Sequence, residues 1–152
     1  ILDKVLKPGM AVLDIGANLG YYGLMEMGLI GPKGRMTAVE PSPANIELLK
    51  KNLALNGHQN VPVISGAVSD TLGEREFFLS HQTNLNTFHA TGTGVTHLSG
   101  KTVKVRTYTV PELAQQYGAP DLIRMDVEGH EVEIFNGMIP AIERGEIAPM
   151  II

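Results

Sequence analysis

The segment from Ala11 to Gly20 is an apolar strand that ends in an acid, Asp14, and passes through a glycine-punctuated turn into a helix. Such a turn needs positive φ at some positions and no Cβ where backbone nears a ligand, and Gly16 and Gly20 meet both demands. A dinucleotide loop, G-x-G-x-x-G from Gly16, would place glycine where Asn18 and Tyr21 stand. A phosphate loop needs Lys and Ser/Thr after its last glycine, and Tyr21 and Tyr22 stand there instead. The chemistry suggested is a small-molecule cofactor site that does not cradle a pyrophosphate.

Further candidates lie where other strands end. Glu40, before the turn Pro41-Ser42-Pro43, can accept hydrogen bonds from both hydroxyls of a ribose, so an adenosine cofactor suits it. Taken alone, Glu40 reads equally well as a solvated residue opening a turn. Asp14 reads either as a cofactor contact or as a carboxylate stabilised at the start of the next helix. In Ala67-Val68-Ser69-Asp70, Ala67 and Val68 could flank an adenine while Ser69 or Asp70 bonds its amine, or Asp70 could cap a plain turn.

Asp126, Glu128 and Glu131 surround the turn at Gly129, and three like charges in one cleft raise each other's pKa unless a cation or hydroxyl faces them. Glu128 and Glu131 could instead charge the first turn of a helix. Asp126 and His130 are candidates to take a proton from an acceptor hydroxyl, although His130 reads slightly better as a surface residue on the helix. Asp126 would also suit magnesium or calcium, with no further ligands identifiable. His81, His89 and His97 lack zinc-like spacing and read as solvated or substrate-lid residues. Tyr21 could touch the amino-acid end of a cofactor, whereas Tyr22, Met25 and Met27 read as packing.

The elements that must position these groups follow from periodicity and breakers. Strands are expected at 12–15, 35–40, 61–66 and 121–127, with a fifth starting at Pro149, and helices at 19–30, from Pro43 to the Asn56-Gly57 break, at 111–117 and at 130–138. Ser42 and Pro43 mark the second helix start as N-cap and first turn. Alternating strand and helix argues a mostly parallel sheet with flanking helices. The rhythm breaks at 75–79 and 102–108, which read as an inserted antiparallel pair between the third and fourth sheet strands, joined by a long polar loop.

With 152 residues, 43% of them hydrophobic, the chain fits one domain over 1–152. Its net charge of −4 and lack of a basic run give a nucleic-acid partner little support. The absence of cysteine excludes disulfides, thiolate metal sites and cysteine nucleophiles. No apolar run approaches the roughly 18 residues of a membrane span, and a cytoplasmic location is expected. The start at Ile1 and the apolar end Met150-Ile151-Ile152 suggest a fragment truncated at its C-terminus.

Two strings, Gly16-Ala17-Asn18-Leu19-Gly20 and Asp126-Val127-Glu128-Gly129-His130-Glu131, together resemble the signature of the FkbM-like family of S-adenosylmethionine-dependent methyltransferases. The resemblance takes in Glu40-Pro41, the Ala67 to Asp70 turn and the paired strands before Asp121. It departs at Thr107-Tyr108-Thr109-Val110, where members carry Thr-Leu-Asp. It implies an α/β Rossmann-like (class I methyltransferase) domain. S-adenosylmethionine would lie against Asp14, Gly16, Ala17, Asn18, Gly20, Tyr21, Glu40, Pro41, Ala67, Val68 and Asp126. The methyl group would pass to a hydroxyl of a small molecule or sugar, with Asp126, His130 and Glu128 at the reaction and a divalent metal left open. In-line transfer needs positioning and desolvation rather than a covalent nucleophile. The rival readings are a nicotinamide-dependent oxidoreductase, which Asn18 and Tyr21 oppose, and a noncatalytic nucleoside-binding domain. Oligomeric state is left open.

Overall fold

Every residue of β1 (Ala11–Ile15) is buried, because the strand sits inside a sheet covered on both faces. In the computed structural model, which describes residues 1–80, 87–88 and 98–152, β1 lies between two parallel neighbours, β2 (Arg35–Glu40) and β7 (Leu122–Met125). Alternate side chains point to opposite faces of a strand. Leu13, Ile15, Val39 and Ile123 therefore meet α4 (Val110–Tyr117) and α5 (Glu131–Glu143) through Leu113, Ile134 and Met138. Val12, Met36, Ala38 and Leu122 face the other way, toward α2 (Tyr21–Ile30) and α3 (Pro43–Leu55), and pack with Ile30, Leu49 and Leu53. Burying each such large side chain favours folding by roughly 1.5–3 kcal/mol.

The main sheet has the order β3-β2-β1-β7-β8, with β3 (Val63–Ser65) and β8 (Met150–Ile151) at its edges and all pairs parallel. Strand order thus reverses between β1 and β7, and an open α/β sheet offers its ligand crevice beside such a reversal. The mostly parallel sheet and the insertion are those expected. A short helix, α1 (Leu2–Val5), was not anticipated, and α5 runs past the expected Met138 to Glu143 with Pro140 inside it.

The third strand is shorter than 61–66 because the chain changes sheets at Gly66. At φ +153° a Cβ on Gly66 would press on the Arg106 carbonyl and the Tyr108 ring, so only glycine passes there. Beyond it, β4 (Ala67–Val68) joins β5 (Gly73–Ser80) and β6 (Leu98–Tyr108) in a second sheet of order β4-β6-β5, the β5/β6 pair antiparallel. Ala67, Phe77 and Val105 form its small core, with Phe88 against them. At the segment that departs from the family pattern, Thr109 is the N-cap of α4 and its Oγ1 accepts the Glu112 N–H at 3.3 Å. Among the described residues no helix is long and apolar enough to cross a membrane.

Candidate cofactor cleft

A cleft opens beyond the carboxyl ends of β1, β2 and β7, walled by residues of all three strand ends and of the second sheet. Its floor is the turn after β1. Gly16 has φ +79°, and a Cβ there would run into the Asp126 carbonyl, so β1 and β7 can end side by side only around glycine. The N–H groups of Gly16 and Ala17 both donate to the Val39 carbonyl, at 3.0 and 3.1 Å.

Glu40 is 4% exposed, which overturns its reading as a solvated turn residue. Its Oε2 accepts the Asn18 N–H at 2.9 Å, and its Oε1 accepts the Ser42 N–H at 2.9 Å and Asn45 Nδ2 at 3.2 Å. Burial pushes the carboxyl up and these three bonds pull it back. A carboxylate offers about four acceptor sites, so Glu40 keeps capacity toward the cleft. Asn18, at φ +51°, leaves its Oδ1 buried without a hydrogen-bond partner among the described residues. Ser42 is the N-cap position of α3 as expected, but its side chain makes no capping bond.

Across β1, Arg124 stands beside Asp14 in the strand register. Its Nη1 donates to Asp14 Oδ1 and its Nη2 to Asp126 Oδ2, each at 2.8 Å, while the Tyr22 ring covers the guanidinium at 4.1 Å. Asp14 is fully buried and does not cap α2, whose N-cap is Gly20. Burial pushes the Asp14 carboxyl up and Arg124 draws it down. Glu26, on α2, is also fully buried, and neither carboxylate oxygen has a hydrogen-bond partner among the described residues. Burial raises its pKa to about 9, with Asp14 adding to the rise and Arg124 opposing it.

His130 is 2% exposed, so its reading as a surface histidine is wrong. Its Nε2 lies 3.0 Å from Ser69 Oγ, its Nδ1 lies 3.6 Å from Glu133 Oε2, and the Phe88 ring sits 4.7 Å from the imidazole. Ser69 is itself fully buried and also donates to Asp70 Oδ1 at 2.9 Å, which occupies the pair expected to bond an adenine amine. Glu128 adopts φ +50° at the mouth, and its carboxyl is raised by partial burial and by the charges of Asp126 and Glu131.

The cleft thus brings together Gly16, Asn18, Glu40, Pro41, Ala67, Val68, Asp126, Glu128 and His130. Asp14, Ala17, Gly20 and Tyr21 do not line it: Asp14 and Ala17 are buried behind it, Gly20 starts α2, and Tyr21 is 72% exposed. Arg124 and Glu26 were missed, although a cation in an apolar strand and an acid in the apolar helix stretch around Met25 and Met27 were both visible. Phe77 and Phe88 also line the cleft and were not anticipated. His81, His89 and His97 lie outside the described residues. Among the described residues no group of three or more His, Cys, Asp or Glu could hold a metal.

The Methyltransferase FkbM domain matches residues 14–152 of this chain. The chain belongs to the FkbM methyltransferase family. This FkbM chain is 26% identical over 132 residues to the hexuronic acid methyltransferase AglP of Haloferax volcanii, covering 86% of the chain and 50% of that protein. It is 37% identical over 71 residues to a protein-L-isoaspartate O-methyltransferase of Methanothrix thermoacetophila, covering 47% of the chain and 33% of that protein. Its fold resembles the FkbM methyltransferase of Methylobacillus flagellatus with a TM-score of 0.60 at 18% identity, over 91% of this chain and 31% of that one. The FkbM chain therefore spans about a third to a half of the lengths of these proteins.

Proposed function

We propose that the chain is the S-adenosylmethionine-binding core of a methyltransferase that acts on a hydroxyl of a small molecule or sugar. The observation that carries this is the pair Glu40 and Asp126, on β2 and after β7, either side of the end of β1. Two strand spacings, about 10 Å, separate such positions, a span suited to a nucleoside extended by an amino-acid tail. Glu40 takes the ribose hydroxyls, Ala67 and Val68 flank the base, the orphaned Asn18 Oδ1 accepts from a cofactor donor, and Asp126 faces the ammonium. The buried acceptor and the apolar wall are what such a ligand requires, and no phosphate-cradling pattern is present.

When bound, the cofactor supplies an electrophilic methyl group on a sulfonium. The chain's own residues position the acceptor, exclude water and remove the acceptor's proton. Glu128 is suited to that last task, since its raised carboxyl makes it a stronger base than an ordinary glutamate. His130, with Ser69 and Glu133 on its ring nitrogens, holds the wall against which the acceptor rests.

A carbohydrate acceptor is favoured over a protein one because the hexuronic acid methyltransferase matches 86% of the chain, against 47% for the isoaspartate enzyme. The net charge of −4 speaks against nucleic acid. Isothermal titration with S-adenosylhomocysteine and with NAD tests the cofactor, and methyl-labelled S-adenosylmethionine with neutral and uronic sugars tests the acceptor. Binding of NAD but not of S-adenosylhomocysteine would overturn the reading.

A further inference from the structure

Arg124 is the one cation in direct contact with the acidic end of the cleft among the described residues, and it does not line the cleft itself. Its fork is divided between two carboxylates of opposite character. Asp14 is fully buried and fixed by the β1/β7 register, whereas the Asp126 side chain is 58% exposed and reaches the cleft. A planar guanidinium donating to both fixes the direction of the exposed carboxylate from the immobile one. Tyr22, packed 4.1 Å over the guanidinium, shields it from water on the α2 side.

Charge points the same way. Arg124 faces Asp14 and Asp126, and Glu128 stands near enough to Asp126 for that charge to raise its own carboxyl, so this end of the cleft carries an excess of negative charge. Glu26 does not add to it at neutral pH, since its buried, unbonded carboxyl holds its proton. An isolated exposed aspartate would swing between rotamers, but this one is held, at the end of the cleft opposite Glu40.

We propose that Arg124 is a positioning residue: from its anchor on Asp14 it aims Asp126 at the cationic amino-acid tail of the cofactor. The inference rests on the cofactor reading above and assigns Asp14 to orienting Arg124 rather than to touching the ligand. Arg124 contributes to cofactor affinity only through Asp126. Its effect is confined to ligands that carry the tail.

Arg124→Lys keeps a positive charge beside buried Asp14 but cannot reproduce the two-way fork, and Asp126→Asn removes the other partner without touching the core. Titration of S-adenosylhomocysteine and of methylthioadenosine, which shares the nucleoside but lacks the amino-acid tail, reads the difference in the full chain. Each variant is expected to weaken S-adenosylhomocysteine by about ten-fold, leave methylthioadenosine unchanged, and the double variant to bind no worse than Asp126→Asn. Equal weakening of both ligands, unchanged S-adenosylhomocysteine binding, or losses that multiply in the double variant would overturn the proposal. If the unaltered chain binds neither ligand, the cofactor reading falls as well, an outcome distinct from loss of discrimination in the variants.

Discussion

Asn18 donates its backbone N–H to Glu40 Oε2 at 2.9 Å, so the turn after β1 is closed by the same carboxylate that ends β2. On the proposed reading of Glu40, binding and folding share one side chain. A ligand that takes the remaining acceptor capacity of Glu40 also reports on the shape of the glycine turn.

Glu40→Ala leaves the Asn18 and Ser42 N–H groups without their acceptor, each at a cost of about 1–3 kcal/mol. The expected result is a melting temperature lower by roughly 2–4 °C per kcal/mol together with loss of S-adenosylhomocysteine binding. Calorimetric melting beside titration checks both. Binding that survives intact would remove Glu40 from the site.

Gly16→Ala forces a Cβ against the Asp126 carbonyl at φ +79°. A destabilisation of about 1–3 kcal/mol in urea unfolding is expected, as β1 and β7 must part at their ends. Gly145→Ala is the control, because it shares positive φ, at +70°, but meets nothing within 4 Å. Gly16→Ala should cost more than that control.

Glu26 gives the fold a pH dependence of defined sign. Its carboxyl rises from 4.5 in the open chain to about 9 when buried near Asp14 and Arg124, so between those values the folded state holds more protons than the unfolded one. Stability must fall as pH rises through that window, by up to about 1.4 kcal/mol per unit from this group. Glu26→Gln keeps the shape without the titration. Urea midpoints at pH 5 and pH 8.5 should lie closer together in the variant than in the parent chain, and equal gaps would mean that Glu26 is not buried as a neutral acid.

Glu128→Gln should lower turnover by about 10²–10⁴-fold with S-adenosylhomocysteine affinity unchanged. In the parent chain, activity should rise with pH as Glu128 deprotonates, with a midpoint above the ordinary glutamate value of 4.5. Stopped assays across the acidic limb measure this. An unshifted limb in the variant would assign the proton to another group.

The sheet was legible because β1, β2 and β7 each end a short apolar run and each is followed by a breaker or an acid. Glu40 was legible as an acid at a strand end, though not as a buried one, since its three donors come from Asn18, Ser42 and Asn45 and only folding brings them together. The strand end at Gly66 was legible, but the change of sheet was not, because Ala67 to Asp70 reads as a turn and what makes Ala67 and Val68 a strand is pairing with Thr107 and Tyr108, remote in sequence. His130 looked like a surface residue because helix periodicity cannot show that Ser69 and Phe88 cover a first turn. Arg124 stood out as a cation in an apolar strand, but its pairing did not: Asp14 lies 110 residues earlier, on the neighbouring strand β1.

The crossing at Gly66 divides the cleft between two hydrogen-bonded fabrics, with Glu40 and Asp126 at strand ends of the parallel sheet and Phe77 on the antiparallel pair of the mixed one. The side that holds charge and the side that supplies apolar wall are thus covalently continuous yet separately woven. Substitutions that resize Phe77 or Val105 can reshape what the cleft admits while the spacing of its two carboxylates stays as the parallel register sets it.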